Sequence, residues 1–249
     1  MLELKRISAG YDRKAVLKDV SVSFEKGKLT AVVGVNGCGK STLLKTALGI
    51  LPPTDGEVLL DGACLHTLDR REIAQKVAYL AQGKSTPDMT VRQMVLHGRF
   101  PYLSYPRRYT SLDVAMAKEA MMTVGISHLA DCPLDALSGG MRQNAYIAMA
   151  LAQDTDYILL DEPTTYLDVS HQLDTMRILR RLADAGRGIV TVMHDLPLAL
   201  DFSDDVVVMN GSGIAAVAPP QDVSDSGVIQ EIFGVQMGRT EKGKFYYQY

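Results

Sequence analysis

Gly34-Val35-Asn36-Gly37-Cys38-Gly39-Lys40-Ser41 carries the glycines, the lysine and the hydroxyl required by the pattern G-x-x-x-x-G-K-[ST]. The flanks agree with it. Leu29-Thr30-Ala31-Val32-Val33 is an apolar, β-rich run, and Ser41 to Leu48 reads as a helix closed by Gly49. A strand, a glycine loop and a helix bring backbone N–H groups and the positive end of a helix dipole to one point, where a polyphosphate fits. Lys40 reaches the outer phosphates and the Ser41 hydroxyl binds Mg2+. Asn36, Gly37, Cys38, Gly39, Lys40, Ser41 and Thr42 are the candidate contacts to a nucleoside triphosphate.

The rest of the chain is read outward from that loop. At 249 residues, 47% hydrophobic and 22% charged, it has ordinary globular composition and enough length for a sizeable core. A net charge of −3 argues against a general nucleic-acid binder. No apolar run is long enough to span a membrane, and Met1-Leu2-Glu3-Leu4-Lys5-Arg6 carries charges where a signal peptide needs an apolar stretch. Cys38, Cys64 and Cys132 lack metal-ligand spacing and cannot all pair, which suits a reducing compartment.

Val20, Val22 and Phe24 alternate with serines as in a half-buried strand, and Glu57 to Leu60 ends at the turn signal Asp61-Gly62. Antiparallel hairpins are therefore expected beside the loop strand. A short strand at Val77 to Leu80 precedes Gln82. From about residue 84 the texture turns helical, with Thr90 capping one helix and residues 111–124 forming another that ends at Gly125. An α/β pattern resumes with the strand Tyr157 to Leu160, a helix through Leu173, Met176, Leu179 and Ala183, and the strand Ile189 to Met193. Continuous apolar strands separated by helices indicate a parallel sheet covered on both faces. A hairpin at residues 206–217 and a short strand at Phe245 to Tyr249 complete the chain.

Two further groups bear on chemistry. Asp161 and Glu162 end the Tyr157 to Leu160 strand. The first carboxylate can complete the Mg2+ shell opposite Ser41, and the second can polarise an attacking water. Leu137-Ser138-Gly139-Gly140 opens a helix, Met141 to Gln153, and forms a second anion cradle of the same physical kind as the first.

The phosphate loop, Gln82, the signature turn Leu137-Ser138-Gly139-Gly140, Asp161-Glu162, Leu167-Asp168 and His194 follow the order and rough spacing found in ATPase subunits of ABC transporters. The resemblance covers essentially the whole chain. It implies one α/β domain over residues 1–249: a P-loop NTPase (RecA-like) core at about 1–83 and 150–249, an N-terminal antiparallel β subdomain, and an inserted α-helical subdomain at about 84–149. It implies ATP and Mg2+ as ligands. Tyr11 resembles the aromatic that stacks on adenine, Gln82 the glutamine that senses Mg2+ and the γ-phosphate, Glu162 the catalytic base, and His194 the switch histidine. Asp168 resembles the loop residue that reaches across to a second subunit. Lys40, Gln82, Glu162 and His194 are thus the catalytic candidates, and Ser41, Gln82 and Asp161 the Mg2+ candidates. The resemblance further implies a homodimer in which Ser138, Gly139 and Gly140 of one copy close on the γ-phosphate held by the other. Met141 and Asn144 stand where glutamine and arginine are usual.

Gly98-Arg99-Phe100-Pro101-Tyr102, Thr164-Thr165-Tyr166-Leu167-Asp168 and Ala148 to Gln153 resemble the ATPases of bacterial importers for ferric siderophores, haem and cobalamin. These stretches are expected to touch a protein partner. The implied assembly has two copies of this chain, two permease subunits and an extracytoplasmic binding protein, without nucleic acid, on the cytoplasmic face of the membrane. The alternatives are haem or cobalamin as cargo, or a soluble ABC ATPase outside transport. Cys38, beside a helix N-terminus, sits in a setting that activates thiols, so a thiol reagent is expected to block ATP hydrolysis and ATP to protect.

Overall fold

The computed structural model describes residues 1–12, 14–83 and 86–248. Lys84 and Ser85, at the start of the expected helical insertion, and Tyr249, at the end of the expected last strand, lie outside the described residues.

The chain opens with strands β1 (Leu2–Tyr11) and β2 (Lys14–Phe24), then β3 (Leu29–Gly34), helix α1 (Lys40–Ala47), β4 (Asp55–Leu60) and β5 (Ala63–Cys64). Helix α2 (Arg70–Lys76) leads into β6 (Val77–Leu80), followed by α3 (Val91–His97), α4 (Ser111–Thr123) and α5 (Gly139–Ala152). The alternating part consists of β7 (Tyr157–Asp161), α6 (Val169–Asp184), β8 (Gly188–Val192), α7 (Leu196–Phe202), β9 (Asp205–Asn210) and β10 (Gly213–Ala218). Helices α8 (Pro220–Asp225) and α9 (Val228–Phe233) and strands β11 (Gln236–Arg239) and β12 (Phe245–Gln248) end it.

The main sheet has the order β10-β9-β3-β8-β7-β6, parallel except for β10. Every residue of β3, β7 and β8 is buried, as their unbroken apolar runs require when helices cover both faces. The sheet's carboxyl ends deliver the phosphate loop after β3, Asp161 at the end of β7, and His194 just beyond β8.

The antiparallel strands form their own sheet, β2-β1-β4-β5, rather than extending β3. Ser8-Ala9-Gly10-Tyr11, which carries the candidate adenine-stacking aromatic, lies on β1. Leu2 and Leu4 and then Ile7 and Ala9 are buried, but Arg6 adopts a positive φ of 52° within a register shift between Leu4 and Ile7. That bulge inserts one residue and breaks the period-2 pattern by which a strand is recognised.

Local chemistry explains the helix starts. Asp69 with Glu72, Thr90 with Gln93 and Thr110 with Asp113 are reciprocal capping boxes on α2, α3 and α4. Ser138, Asp168 and Asp195 accept from backbone N–H groups at the starts of α5, α6 and α7. Helix α5 therefore begins at Gly139, two residues before the expected start. Helices α3, α4 and α5 pack on one another, and one continuous buried cluster joins them to the sheet through Ala145, Ile147, Leu160 and Leu179.

Candidate nucleotide site

The loop after β3 turns through Gly37 and Gly39, with φ of +79° and +101°. Only glycine adopts these angles without steric cost. No side chain caps α1, so the N–H groups of its first turn, at Lys40, Ser41 and Thr42, stay open to an anion. Lys40 is buried. Its ammonium folds back into the loop and donates to the carbonyls of Gly34 (2.8 Å) and Val35 (3.2 Å). Tyr11 shares a cleft of about 390 Å3 with Val16, Asn36, Gly37, Cys38 and Ser212, and its half-exposed ring can cover a flat base above the loop.

Ser41 Oγ donates to Asp161 Oδ1 at 3.0 Å, so the structure brings together two of the three expected Mg2+ residues. Burial pushes the Asp161 carboxyl above its ordinary range; the Ser41 hydrogen bond opposes that rise and the Glu162 charge adds to it. The Tyr79 hydroxyl donates to Asp161 Oδ2 at 3.4 Å, and burial pushes that phenol up as well. A hydroxyl beside a buried carboxylate is a set of hard oxygen donors and suits Mg2+. The third expected residue, Gln82, points elsewhere. Its amide donates to Glu162 Oε2 at 2.5 Å.

Glu162 is the hub. His194 Nε2 lies 2.6 Å from its Oε1, and the Thr165 hydroxyl donates to Oε2 at 3.1 Å. Three side chains from three segments thus converge on one carboxylate that is 12% exposed. Glu162 also holds a φ of +55°, strain of order 1–3 kcal/mol that a non-glycine residue keeps only when its surroundings fix it. Of the four residues expected to be catalytic, Gln82, Glu162 and His194 meet directly, while Lys40 sits in the loop.

Ser138 and Gly139 are exposed, with Ser138 Oγ accepting from Met141 N at 3.3 Å. Neither is among the residues that line the Tyr11 cleft. Asp168 is exposed too. The backbone N–H of His171 first, and then its ring, hold the Asp168 carboxyl below the usual range. Three expectations change. Arg99 is buried in an ion pair with Asp113, so it braces the cassette instead of touching a partner. Ala148, Ala150, Leu151 and Ala152 are core, and Gln153 donates to the carbonyls of Ala74 and Val77. The Cys38 thiol is 3% exposed and packed against Gly34, closed to reagents.

Thr165, expected to touch a partner as part of the 164–168 stretch, donates to Glu162 instead, and neither Arg142 nor His171 was expected at the site. Arg142 bridges the Thr86 hydroxyl (2.7 Å) and the carbonyl of Leu137 (3.0 Å), tying the segment after Gln82 to the signature turn. Its place in the signature helix was the only signal available.

Residues 17–165 match the family described as ABC transporter. The chain belongs to this family. The cassette is 40% identical over 237 residues to the petrobactin import ATP-binding protein FpuD of Bacillus anthracis, covering 94% of this chain and 87% of that one. It is 38% identical over 234 residues to the ferric enterobactin transport ATP-binding protein FepC of Escherichia coli, covering 93% and 86%. Among solved structures it resembles an inward-facing metal-chelate type ABC transporter (TM-score 0.85, 26% identity, 100% and 97% covered). It also resembles the dimeric post-hydrolysis structure of the ATP-binding cassette MJ0796 bound to ADP and Pi (TM-score 0.75, 25% identity, 88% and 99% covered). The cassette is an ATPase of the ABC type. No helix among the described residues is long and apolar enough to cross a membrane.

Proposed function

We propose that this cassette is the ATP-hydrolysing subunit of an importer for iron(III) chelates such as ferric siderophores. Two copies pair head to tail, bound peripherally under two permease subunits that receive cargo from an extracytoplasmic binding protein. The observation that carries the ATPase chemistry is the convergence of His194, Gln82 and Thr165 on Glu162, one residue from the Asp161–Ser41 pair.

On ATP binding, Tyr11 covers adenine, and the loop amides with Lys40 take the phosphates. Ser41 and Asp161, joined by Gln82 as it leaves Glu162, would hold Mg2+, which neutralises charge on the outer phosphates when bound. Glu162 accepts a proton from the water that attacks the γ-phosphate, and His194 orients both. Ser138, Gly139 and Gly140 of the second copy close over that phosphate, so the closed dimer is favoured only while triphosphate is present. A permease helix docks in the groove of about 460 Å3 lined by Leu48, Ile50, Ile73, Ala74, Tyr79 and Gln153, which adjoins both α1 and the end of α5.

The iron-chelate reading rests on the similarity to FpuD and FepC, ATP-binding proteins for petrobactin import and ferric enterobactin transport. Deleting the gene and measuring uptake of radiolabelled ferric siderophore, haem and cobalamin tests it. Loss of ferric siderophore uptake alone is expected, restored by the wild-type gene and not by a Glu162→Gln copy. Loss of haem or cobalamin uptake alone would reassign the cargo, and loss of none would remove the transport reading.

A further inference from the structure

Gly140, the second residue of α5, has no room for a side chain, because a Cβ there would overlap the ring of His171. That ring belongs to the first turn of α6. Its Nδ1 lies 2.8 Å from Asp168 Oδ2, and the His171 backbone N–H donates to Asp168 Oδ1 at 2.9 Å. Beside it, a Cβ on Gly139 would stand 3.8 Å from Leu167 Cδ2, an ordinary packing contact. The turn Ser138-Gly139-Gly140 and the loop Thr164 to Asp168 thus meet within one protomer, and a single imidazole fills the joint. Ser138, two residues before Gly140, and Asp168 are both exposed.

We propose that His171 is a positioning residue that fixes the signature turn and the Asp168 loop relative to each other, so that one rigid edge meets the partner's nucleotide. This rests on the reading that the two motifs act across a dimer.

The chemistry of the ring suits the task. One edge carries a donor directed at a carboxylate that can only accept. The other edge is flat carbon against a glycine backbone, where any longer side chain on position 140 would force the elements apart. If the ring is removed, the backbone cap of α6 by Asp168 remains, so the helix keeps its start. What goes is the wedge between the turn and the loop, beside which Leu167 packs near Gly139. Two long excursions of chain then approach the second subunit independently, and each must be ordered at closure instead of beforehand.

The two edges can be separated by substitution. His171→Asn keeps a donor near the position of Nδ1 and loses the distal ring. His171→Phe keeps the ring and loses the donor. In the full-length Glu162→Gln protein, ATP-driven dimerisation is read by sedimentation velocity, and nucleotide binding to the monomer by titration with a fluorescent ATP analogue. His171→Ala is expected to weaken dimerisation at least about fivefold, the lower end of typical coupling between sites, with monomer affinity for the analogue unchanged. His171→Asn and His171→Phe should each fall between, and they carry the test if His171→Ala does not fold. A purely structural role would lower the melting temperature and both binding readouts together, which would overturn the proposal. Ser138→Arg in the same background distinguishes the two levels of argument. If Ser138→Arg abolishes dimerisation while the His171 variants dimerise like the parent, the positioning role is wrong and the composite site stands. If Ser138→Arg also dimerises like the parent, the composite site itself is wrong.

Discussion

Replacing Asp113 by alanine tests how the helical part of the cassette is held. The Arg99 and Asp113 side chains are 5% and 6% exposed, and Nε sits 3.0 Å from Oδ1. Asp113 Oδ2 also accepts from Thr110 N at 2.8 Å and from Thr110 Oγ1 at 2.7 Å. Alanine therefore removes one ion pair and half of a capping box and strands a buried guanidinium. Breaking a buried pair by deleting one partner costs about 3–5 kcal/mol. Arg99 keeps its bond to the carbonyl of Ala152 (2.9 Å) and its stacking on the Tyr102 ring (3.9 Å to the centroid), which places the cost in the lower half of that range. At about 2–4 °C per kcal/mol for a chain of this size, the melting temperature should fall by roughly 6–16 °C. Circular dichroism melts read it directly. Asp131→Ala, at the exposed Arg92–Asp131 pair, is the control and should cost under about 1 kcal/mol. The sign with pH follows from the carboxyl's position. Burial alone would raise it, but the Thr110 hydrogen bonds and the Arg99 guanidinium hold it below the ordinary range. A group depressed in the folded state stabilises above its unfolded pKa, near 4, and that contribution vanishes as pH falls through the folded value. The gap between wild type and Asp113→Ala should be full at pH 7 and close in acid. A melting temperature within about 2 °C of wild type at pH 7 would refute the reasoning.

The remaining predictions concern the nucleotide. Lys40→Ala loses a charge-assisted bond to phosphate worth about 1.5–3 kcal/mol, so ATP affinity should fall roughly 10- to 150-fold by calorimetry; unchanged affinity would contradict the loop assignment. Glu162→Gln keeps an acceptor for Gln82 but no base, so steady-state hydrolysis should drop by about 10²–10⁴ while an ATP-bound dimer accumulates on gel filtration. Turnover at the wild-type rate would move the base elsewhere. A maleimide should label the partly exposed Cys64, whose sulfur lies 2.9 Å from His66 Nδ1, well before the buried Cys38, as read by peptide mass spectrometry. Equal labelling rates in the folded protein would show that the loop opens.

What was legible in the sequence was chemistry carried by neighbours in the chain. The loop at 34–41 and the Asp161-Glu162 pair each announce a candidate role within a few residues, because a strand end, a glycine turn and a charged group suffice to suggest it. Helix starts were legible for the same reason at Thr90, whereas α2 and α7 were missed although Asp69 and Asp195 cap them. Strand β1 was hidden by a bulge at Arg6, and its sheet partners lie up to 58 residues away, as Leu2 faces Leu60. Strand β11 and helices α8 and α9 give short, half-exposed patterns that no period distinguishes from loop. His171 carried no local sign of its role, and Arg99 carried a misleading one, as part of a stretch expected to touch a partner. Each acquires its meaning from a residue brought in by the fold, Gly140 for the one and Asp113 for the other.

The site's polar groups are engaged with one another. Lys40 donates to two carbonyls, Ser41 to Asp161, and Gln82 and Thr165 to Glu162, with His194 closing the ring. Buried polar groups left without partners would cost about 1–3 kcal/mol each, and this arrangement avoids that cost in the free protein. It also means that nucleotide binding exchanges hydrogen bonds more than it adds them. On the proposed mechanism, the carbonyls of Gly34 and Val35 are released before Lys40 reaches a phosphate, and Gln82 leaves Glu162 before it joins Ser41 and Asp161. Neutral carbonyls are weak partners for an ammonium compared with a phosphate dianion, so the first exchange runs toward the ligand on charge alone. The second exchange removes one of the two donors on Glu162 Oε2, where the Thr165 hydroxyl stays, and leaves His194 on Oε1. In the proposed mechanism, a carboxylate that loses its Gln82 partner only when triphosphate fills the loop gains acceptor capacity for a water when there is a γ-phosphate for that water to attack.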